Sequence, residues 1–245
     1  MIDIVTYANK EFGTFRQLID NKFDVKVTVL GMGTKWNGYD DKSKGLLKYI
    51  ETKNDNDIVV FVDGFDSLIN RSPDDLSTLF ASYDCKVLMS NDVWSNSMFG
   101  SQMFGTCHSG YTANAGMYMG YVEYLKILLK ETLTMSCSDD QVKMNRMCKI
   151  HSFIKVDSRE VIFKNIPPHE KLKESCSAIF VSYPGTVSFE RWSRAIPEYL
   201  QFFFKQILVI FIVALWLLPK RRKQLSTVLF LLTMYYICFA DKTCV

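Results

Sequence analysis

Histidine is scarce in this chain of 245 residues: only His108, His151 and His169 occur, at no spacing that forms a ligand set, so each reads as a surface or hydrogen-bonded residue. The seven cysteines include no CxxC pair and no metal-finger spacing. Their scattered, odd-numbered set indicates no disulfide scaffold and fits a reduced, cytosol-facing body. The N-terminus, MIDIVTYANK, lacks the long apolar run of a secretory signal and reads as a first strand. A basic excess is missing from the body as well. Residues 198–245 hold six Lys/Arg against two Asp/Glu, leaving 23 against 24 upstream, so no basic face for nucleic acid is expected. What the chain does have is apolar bulk: 48% hydrophobic residues, with 18 Phe and 12 Tyr, exclude a disordered, collagen-like or mucin-like chain. Its length suits one domain plus an appendage.

The first 90 residues alternate β runs with helical patterns: IDIVTY (2–7), FGTFRQLID (12–20), VKVTVL (25–30), KGLLKYIE (44–51), DIVVFV (57–62), then DDLSTLFAS and KVLMS. Strands separated by helices predict a mainly parallel sheet covered on both faces, with ligands at the carboxyl ends of the strands. Residues 92–112 are rich in Ser, Gly and Asn without periodicity and read as a binding loop or lid, with Trp94, Met98 and Phe99 available to cover a ligand. Two helices follow, YVEYLKILLKETL and SDDQVKMNRMCK, the second with Ser138 or Asp139 near its cap. Short strands FIKV, VIF and SAIFVS complete the body.

The division expected is therefore a domain over 1–197 and a hydrophobic tail over 198–245. In the tail, 202–218 is apolar apart from Lys205 and Gln206, KRRK occupies 220–223, and 228–240 is apolar again. The first run is marginal and the second short for a spanning helix of about 20 residues. Through residues 202–240 the chain is expected to associate with a membrane, with an endomembrane location and the side of the body left open. A cytosolic body with 202–218 spanning would place KRRK against the usual cytoplasmic bias of positive charge, which a shallow hairpin or the opposite orientation avoids.

The sharpest local signal is VVFVDGFDSLI (59–69), where an apolar strand ends in Asp63, Gly64, Phe65 and Asp66. Gly64 permits a tight turn, and two carboxylates aimed at one place suit a hard divalent cation; the alternative is a turn with two solvated acids. Thr6 and Tyr7 follow the first strand and GMGTKWNG (31–38) the second, so three loops gather at predicted strand ends. The Gly-flanked loop offers N–H groups and the flat face of Trp36, unless Trp36 packs in the core, and Lys42 or Lys44 can reach a phosphate.

Over residues 2 to about 186 the chain resembles the glycosyltransferase domain of the procollagen lysyl hydroxylases and related collagen-type glycosyltransferases. The resemblance runs in order through IVTYA, VLGMGTKWNG, FVDGFDSLI with SPDDL, VLMS with Asp92, NAGMYMG, SDDQ and IKVDSREVIFKNI. It implies a GT-A (Rossmann-like) α/β fold and a UDP-sugar donor, with Mn²⁺ or Mg²⁺ between Asp63, Asp66 and the diphosphate. By the same resemblance Thr6 and Trp36 would contact the uridine part, Phe65 would sit beside the nucleotide, and Asn114, Gly116, Asp139 and Asp140 would line the sugar and acceptor side; Lys44 joins the donor-binding set from its reach toward a phosphate. Asp139 or Asp140 would serve as the catalytic carboxylate, binding sugar hydroxyls or taking the acceptor's proton. The metal would ease departure of UDP by neutralising charge on its β-phosphate.

The family ends its domain with a His-Gly-Asn-Gly segment whose His completes the metal shell, where this chain reads IFVSYPGT (179–186). Val181 cannot ligate, leaving Ser182, Tyr183, His169 or water. Asp157 reads as structural. The function expected is transfer of a hexose, glucose or galactose, from a UDP-sugar to a hydroxyl-bearing glycan or protein acceptor. The alternative is a non-catalytic, membrane-tethered binding or scaffold protein of the same fold; a nucleotidyltransferase is a third class that also uses paired acids.

Overall fold

Adjacent apolar residues on the first and third predicted strands require a sheet buried on both faces. In the structure, a computed structural model that describes residues 2–95, 101, 104–166, 171–184, 226–228 and 230, that sheet has six strands in the order β2-β1-β3-β6-β5-β7. They are β1 (Ile2–Tyr7), β2 (Val27–Leu30), β3 (Ile58–Asp63), β5 (Val87–Asn91), β6 (Ala113–Tyr121) and β7 (Ile154–Asp157). Alternation divides the buried residues between two cores: Val5, Val59 and Phe61 face one, Ile4, Val60 and Val62 the other. The first core is closed by α2 (Asp40–Ile50), α4 (Val122–Thr134) and α5 (Asp140–Ile150) through Leu46, Ile50, Leu125, Leu129, Met144 and Met147. The second receives Leu18 of α1 (Phe15–Ile19) and Leu76 and Phe80 of α3 (Leu76–Ala81).

Five strands run the same way, as the β-α alternation predicts, but β6 is reversed and pairs antiparallel with both β3 and β5. The long connection of residues 92–112 lets the chain enter β6 from the carboxyl end of the sheet instead of crossing back over it. Ser67–Ile69, absent from the predicted strands, forms β4. It joins β9 (Phe180–Ser182) and β8 (Phe163–Asn165) in a second sheet of order β4-β9-β8.

Cysteine usage is corrected. Cys107 and Cys148 form a disulfide across 41 residues, linking the segment before β6 to the end of α5, and Cys137 is disulfide-bonded as well. Cys85 and Cys176 are free thiols. Such pairs are made by the fold and leave no spacing signature in the sequence.

The chain divides into two compact units, Met1–Val187 with Cys244–Val245, and Ser188–Thr243. Both apolar runs of the tail lie outside the described residues except for Val228 and Phe230. Among the described residues no helix is long and apolar enough to cross a membrane.

Candidate active site

The end of β3 organises the site. Asp63 follows Phe61 by two positions, so the pleat turns it to the face covered by α2, α4 and α5. There the ammonium of Lys42, in the first turn of α2, donates to Asp63 Oδ2 at 3.3 Å and meets Asp140 Oδ2, in the first turn of α5, at 2.7 Å. One lysine thus bridges two carboxylates from different elements. Burial opposes the charge on Lys42, whose side chain is 12% exposed, but Asp140 and Asp63 outweigh it by charge and hydrogen bonding and raise its pKa above the ordinary lysine range. Lys44 is exposed. Two residues along α2 it lies about 200° around the axis from Lys42, on another face of the helix.

Gly64 makes the turn after β3 possible. A Cβ there would meet Thr6 Oγ1 and the Tyr7 carbonyl oxygen at 2.9 Å each, so a side chain would force the acidic loop away from β1. Asp63 Oδ1 then accepts from the Phe65 N–H at 3.2 Å. Asp66 Oδ1 accepts from Ser182 Oγ at 2.9 Å and from Ser67 Oγ at 3.4 Å, and the Asp66 carbonyl accepts from the Tyr183 N–H at 2.9 Å. Of the groups proposed to replace the family histidine, the Ser182 hydroxyl therefore reaches the acid. Val181 is buried opposite Leu68, and His169 lies outside the described residues. The two acids share one turn but have separate partners: Asp63 on the helical side, Asp66 on the small sheet.

The nucleotide-side residues separate in the structure. Thr6 is 0% exposed, and its hydroxyl donates to the Val62 carbonyl at 2.7 Å inside the sheet. Its side chain, turned to the core of a central strand, has no surface to offer the uridine expected beside it. Trp36 is not a core residue: at 37% exposure it packs against Tyr7 and Tyr39, with ring centroids 6.0 and 5.9 Å apart, and Lys42 Nζ lies 5.3 Å from the Tyr39 ring. Phe65 meets Phe12 edge-on at 5.8 Å, and its carbonyl accepts from the Thr14 N–H at 2.9 Å.

On the sugar and acceptor side, Asn114 donates to Asp92 Oδ2 and to Gln141 Oε1, each at 3.2 Å, and accepts from the Gly116 N–H at 2.8 Å. Gly116 separates Asn114 from Asp63, since its Cβ would lie 2.9 Å from Asn114 Oδ1 and 3.7 Å from Asp63 Cβ. Asp92, 6% exposed, also accepts from Gln141 Nε2 at 2.9 Å and from the Trp94 N–H at 2.8 Å. Asn145 of α5 pairs with both backbone groups of Ala113, at 2.7 and 2.8 Å, and so fixes Asn114 beside α5. The two candidate catalytic acids divide: Asp139 caps α5, its Oδ1 accepting from the N–H groups of Gln141 and Val142 at 2.9 and 3.0 Å, whereas Asp140 faces Lys42. The cap role expected for Ser138 or Asp139 falls to Asp139. Asp157 is structural as expected, buried and accepting from Tyr83 and from the N–H groups of Ile162 and Phe163.

Sequence reasoning missed the Asp92–Gln141 pair, which joins positions 49 residues apart, and the ion pair of buried Lys143 with Asp40 at 2.6 Å. The DDQ run and the acid after VLMS marked two of these residues, but nothing in the sequence marked their pairing. Surface cavities of about 380 Å³, beside Asp3 and Lys53, and about 250 Å³, beside Arg159 and Lys171, include none of the acids of the site.

Among the described residues no group of three or more His, Cys, Asp or Glu forms a metal cage. Two carboxylates and a hydroxyl suit a hard cation that takes its remaining oxygen ligands from phosphates and water. The Lys42 ammonium already stands against Asp63 as a fixed cation. The donor set therefore fits a divalent ion bound together with a diphosphate.

The PLOD GT domain family matches residues 1–176 of the chain. The multifunctional procollagen lysine hydroxylase and glycosyltransferase of Caenorhabditis elegans is 26% identical over 184 residues, covering 66% of this chain and 25% of that protein. Procollagen-lysine,2-oxoglutarate 5-dioxygenase 2 of Homo sapiens is 25% identical over 154 residues, covering 57% of this chain and 21% of that protein. The chain thus spans about a quarter of the length of the curated relatives it matches. A crystal structure of the galactosyltransferase LgtC with donor and acceptor sugar analogs superposes with a TM-score of 0.48 at 16% identity, over 75% of this chain and 87% of that one. The class is that of a glycosyltransferase-type α/β domain. More narrowly, the chain belongs to the PLOD GT domain family.

Proposed function

We propose that this chain is a glycosyltransferase that moves a hexose from a UDP-sugar to a hydroxyl-bearing acceptor, with Asp63 and Asp66 holding Mn²⁺ or Mg²⁺ against the donor diphosphate. The observation that carries this reading is the convergence of Asp63, Lys42, Asp140, Gly116 and the Asn114–Asp92–Gln141 network at the carboxyl end of β3. When bound, the cation would neutralise charge growing on the departing nucleotide. Trp36 presents a flat face for the base, and Asp140 is the carboxylate placed to bind sugar hydroxyls or accept the acceptor's proton. Family membership supports the transferase class. A non-catalytic scaffold would have no use for these acids held together, and a nucleotidyltransferase would not need the Asn114–Asp92–Gln141 network.

Calorimetric titration of the full chain with UDP in Mn²⁺ is expected to show one site, and UDP-hexose turnover is expected to depend on the metal. The double change Asp63→Asn with Asp66→Asn should abolish both, and unchanged turnover would remove the metal assignment.

Membrane association through residues 202–240 belongs to the same proposal. The Cys107–Cys148 bond supports an oxidising compartment for the body. With the body on that side, a span over 202–218 sets KRRK on the cytoplasmic face, in accord with the charge bias of membrane proteins.

A further inference from the structure

Lys42 stands where a cation bound at Asp63 would place its own charge, and that position has a consequence for the order of binding. The ammonium reaches Asp140 at 2.7 Å and Asp63 at 3.3 Å, and its side chain is 12% exposed, so little water screens it. Of the two contacts the one to Asp63 is longer, and the flexible four-carbon stem of a lysine allows the ammonium to leave Asp63 while keeping Asp140.

We propose that Lys42 is a tethered counter-cation that keeps Asp63 from free divalent ions and releases it only to an ion that arrives with a diphosphate. This rests on the reading of Asp63 and Asp66 as the cation-holding acids. A bare ion entering beside Asp63 would stand close to a like charge in a poorly hydrated place, where repulsion is strong. It would also find an incomplete shell, since Asp66 and the Ser182 hydroxyl are bonded to each other at 2.9 Å and no third His, Cys, Asp or Glu joins the acids among the described residues. A metal–diphosphate complex meets neither obstacle. Its phosphate oxygens complete the shell and offer Lys42 a new anionic partner, so the lysine exchanges Asp63 for phosphate while the metal takes Asp63.

No bond forms or breaks; three charged partners are redistributed. The arrangement also prevents the acids from being occupied by an ion that brings no donor. Tyr39, whose ring lies 5.3 Å from the ammonium, and Trp36 beyond it line the side from which a nucleotide would approach Lys42.

The test is calorimetric titration of the full chain with Mn²⁺ alone, with UDP alone and with the two together. The wild-type protein is expected to bind Mn²⁺ weakly by itself and strongly with UDP. Lys42→Met should bind Mn²⁺ alone about tenfold or more tightly and lose about tenfold in affinity for Mn²⁺ with UDP. Lys42→Arg, which keeps the charge, should leave Mn²⁺ alone as weak as in the wild type, a contrast that a merely structural role for the side chain would not produce. Should Lys42→Met unfold, as read by circular dichroism, Lys42→Gln provides the same comparison. Unchanged affinity for Mn²⁺ alone in the neutral variants, with Mn²⁺ and UDP still binding together, overturns this inference and leaves the proposed function standing. Failure of the wild-type chain to bind Mn²⁺ with UDP overturns both.

Discussion

Tyr83 and Asp157 form a buried pair that contributes to stability and loses that contribution at high pH. Burial, then the hydrogen bond to Asp157, raise the Tyr83 phenol above the usual tyrosine range. A group whose folded pKa exceeds its unfolded value contributes stability that is complete below the unfolded value, about 10 for tyrosine, and is lost as pH rises through the folded one. The contribution of this pair to the midpoint of denaturation is therefore expected to be constant below about pH 10 and to fall above it. Tyr83→Phe should be less stable at neutral pH, through loss of a bond to a buried acid, and should show a shallower decline at high pH in denaturant titrations. At this scale Asp63 and Asp66 stood out in the sequence because they end an apolar strand abruptly, whereas Asn114 and Asp140 were singled out only through the family resemblance. The burial of the Thr6 side chain was not legible because the sequence does not tell which side of a central strand faces the core. Lys42 and Lys44 were separable only once α2 was known to begin at Asp40, which puts the first of them in the opening turn.

Element boundaries do chemical work here. The first turn of α2 carries Asp40 and Lys42, and that of α5 carries Asp140 and Gln141, so both helices begin at the site. Carboxylates in a first turn interact favourably with the helix dipole. Removing the cap with Asp139→Ala should cost about 1 kcal/mol of stability. It should weaken donor binding only as far as α5 frays, whereas Asp140→Asn should spare stability more than turnover; chemical denaturation and kinetics on the same samples distinguish the two. Through residue 91 the order of strands and helices was readable from periodicity except for β4. The reversal of β6 was not, because a loop of about twenty residues fits either direction of entry. β4 escaped notice since three residues give no period, and its pairing with β9 joins Ser67 to Ser182.

On the scale of the whole chain, the Cys107–Cys148 bond and the apolar runs of 202–240 carry the proposal for where the protein resides. In sealed microsomes the body is expected to resist added protease until detergent is present, while residues 220–223 remain open to trypsin. Extraction of the full chain by alkaline carbonate as readily as a form lacking residues 198–245 would count against insertion. The acidic turn itself has a dependence on synthesis. Asp66 is made early, but the hydroxyl that bonds it belongs to Ser182, 116 positions later. A nascent chain emerging from the ribosome therefore exposes its second acid without that bond until nearly all of the body has appeared. Any product truncated before β9 carries the DGFD turn in an unfinished state, so the pocket matures last, when β9 inserts between β4 and β8.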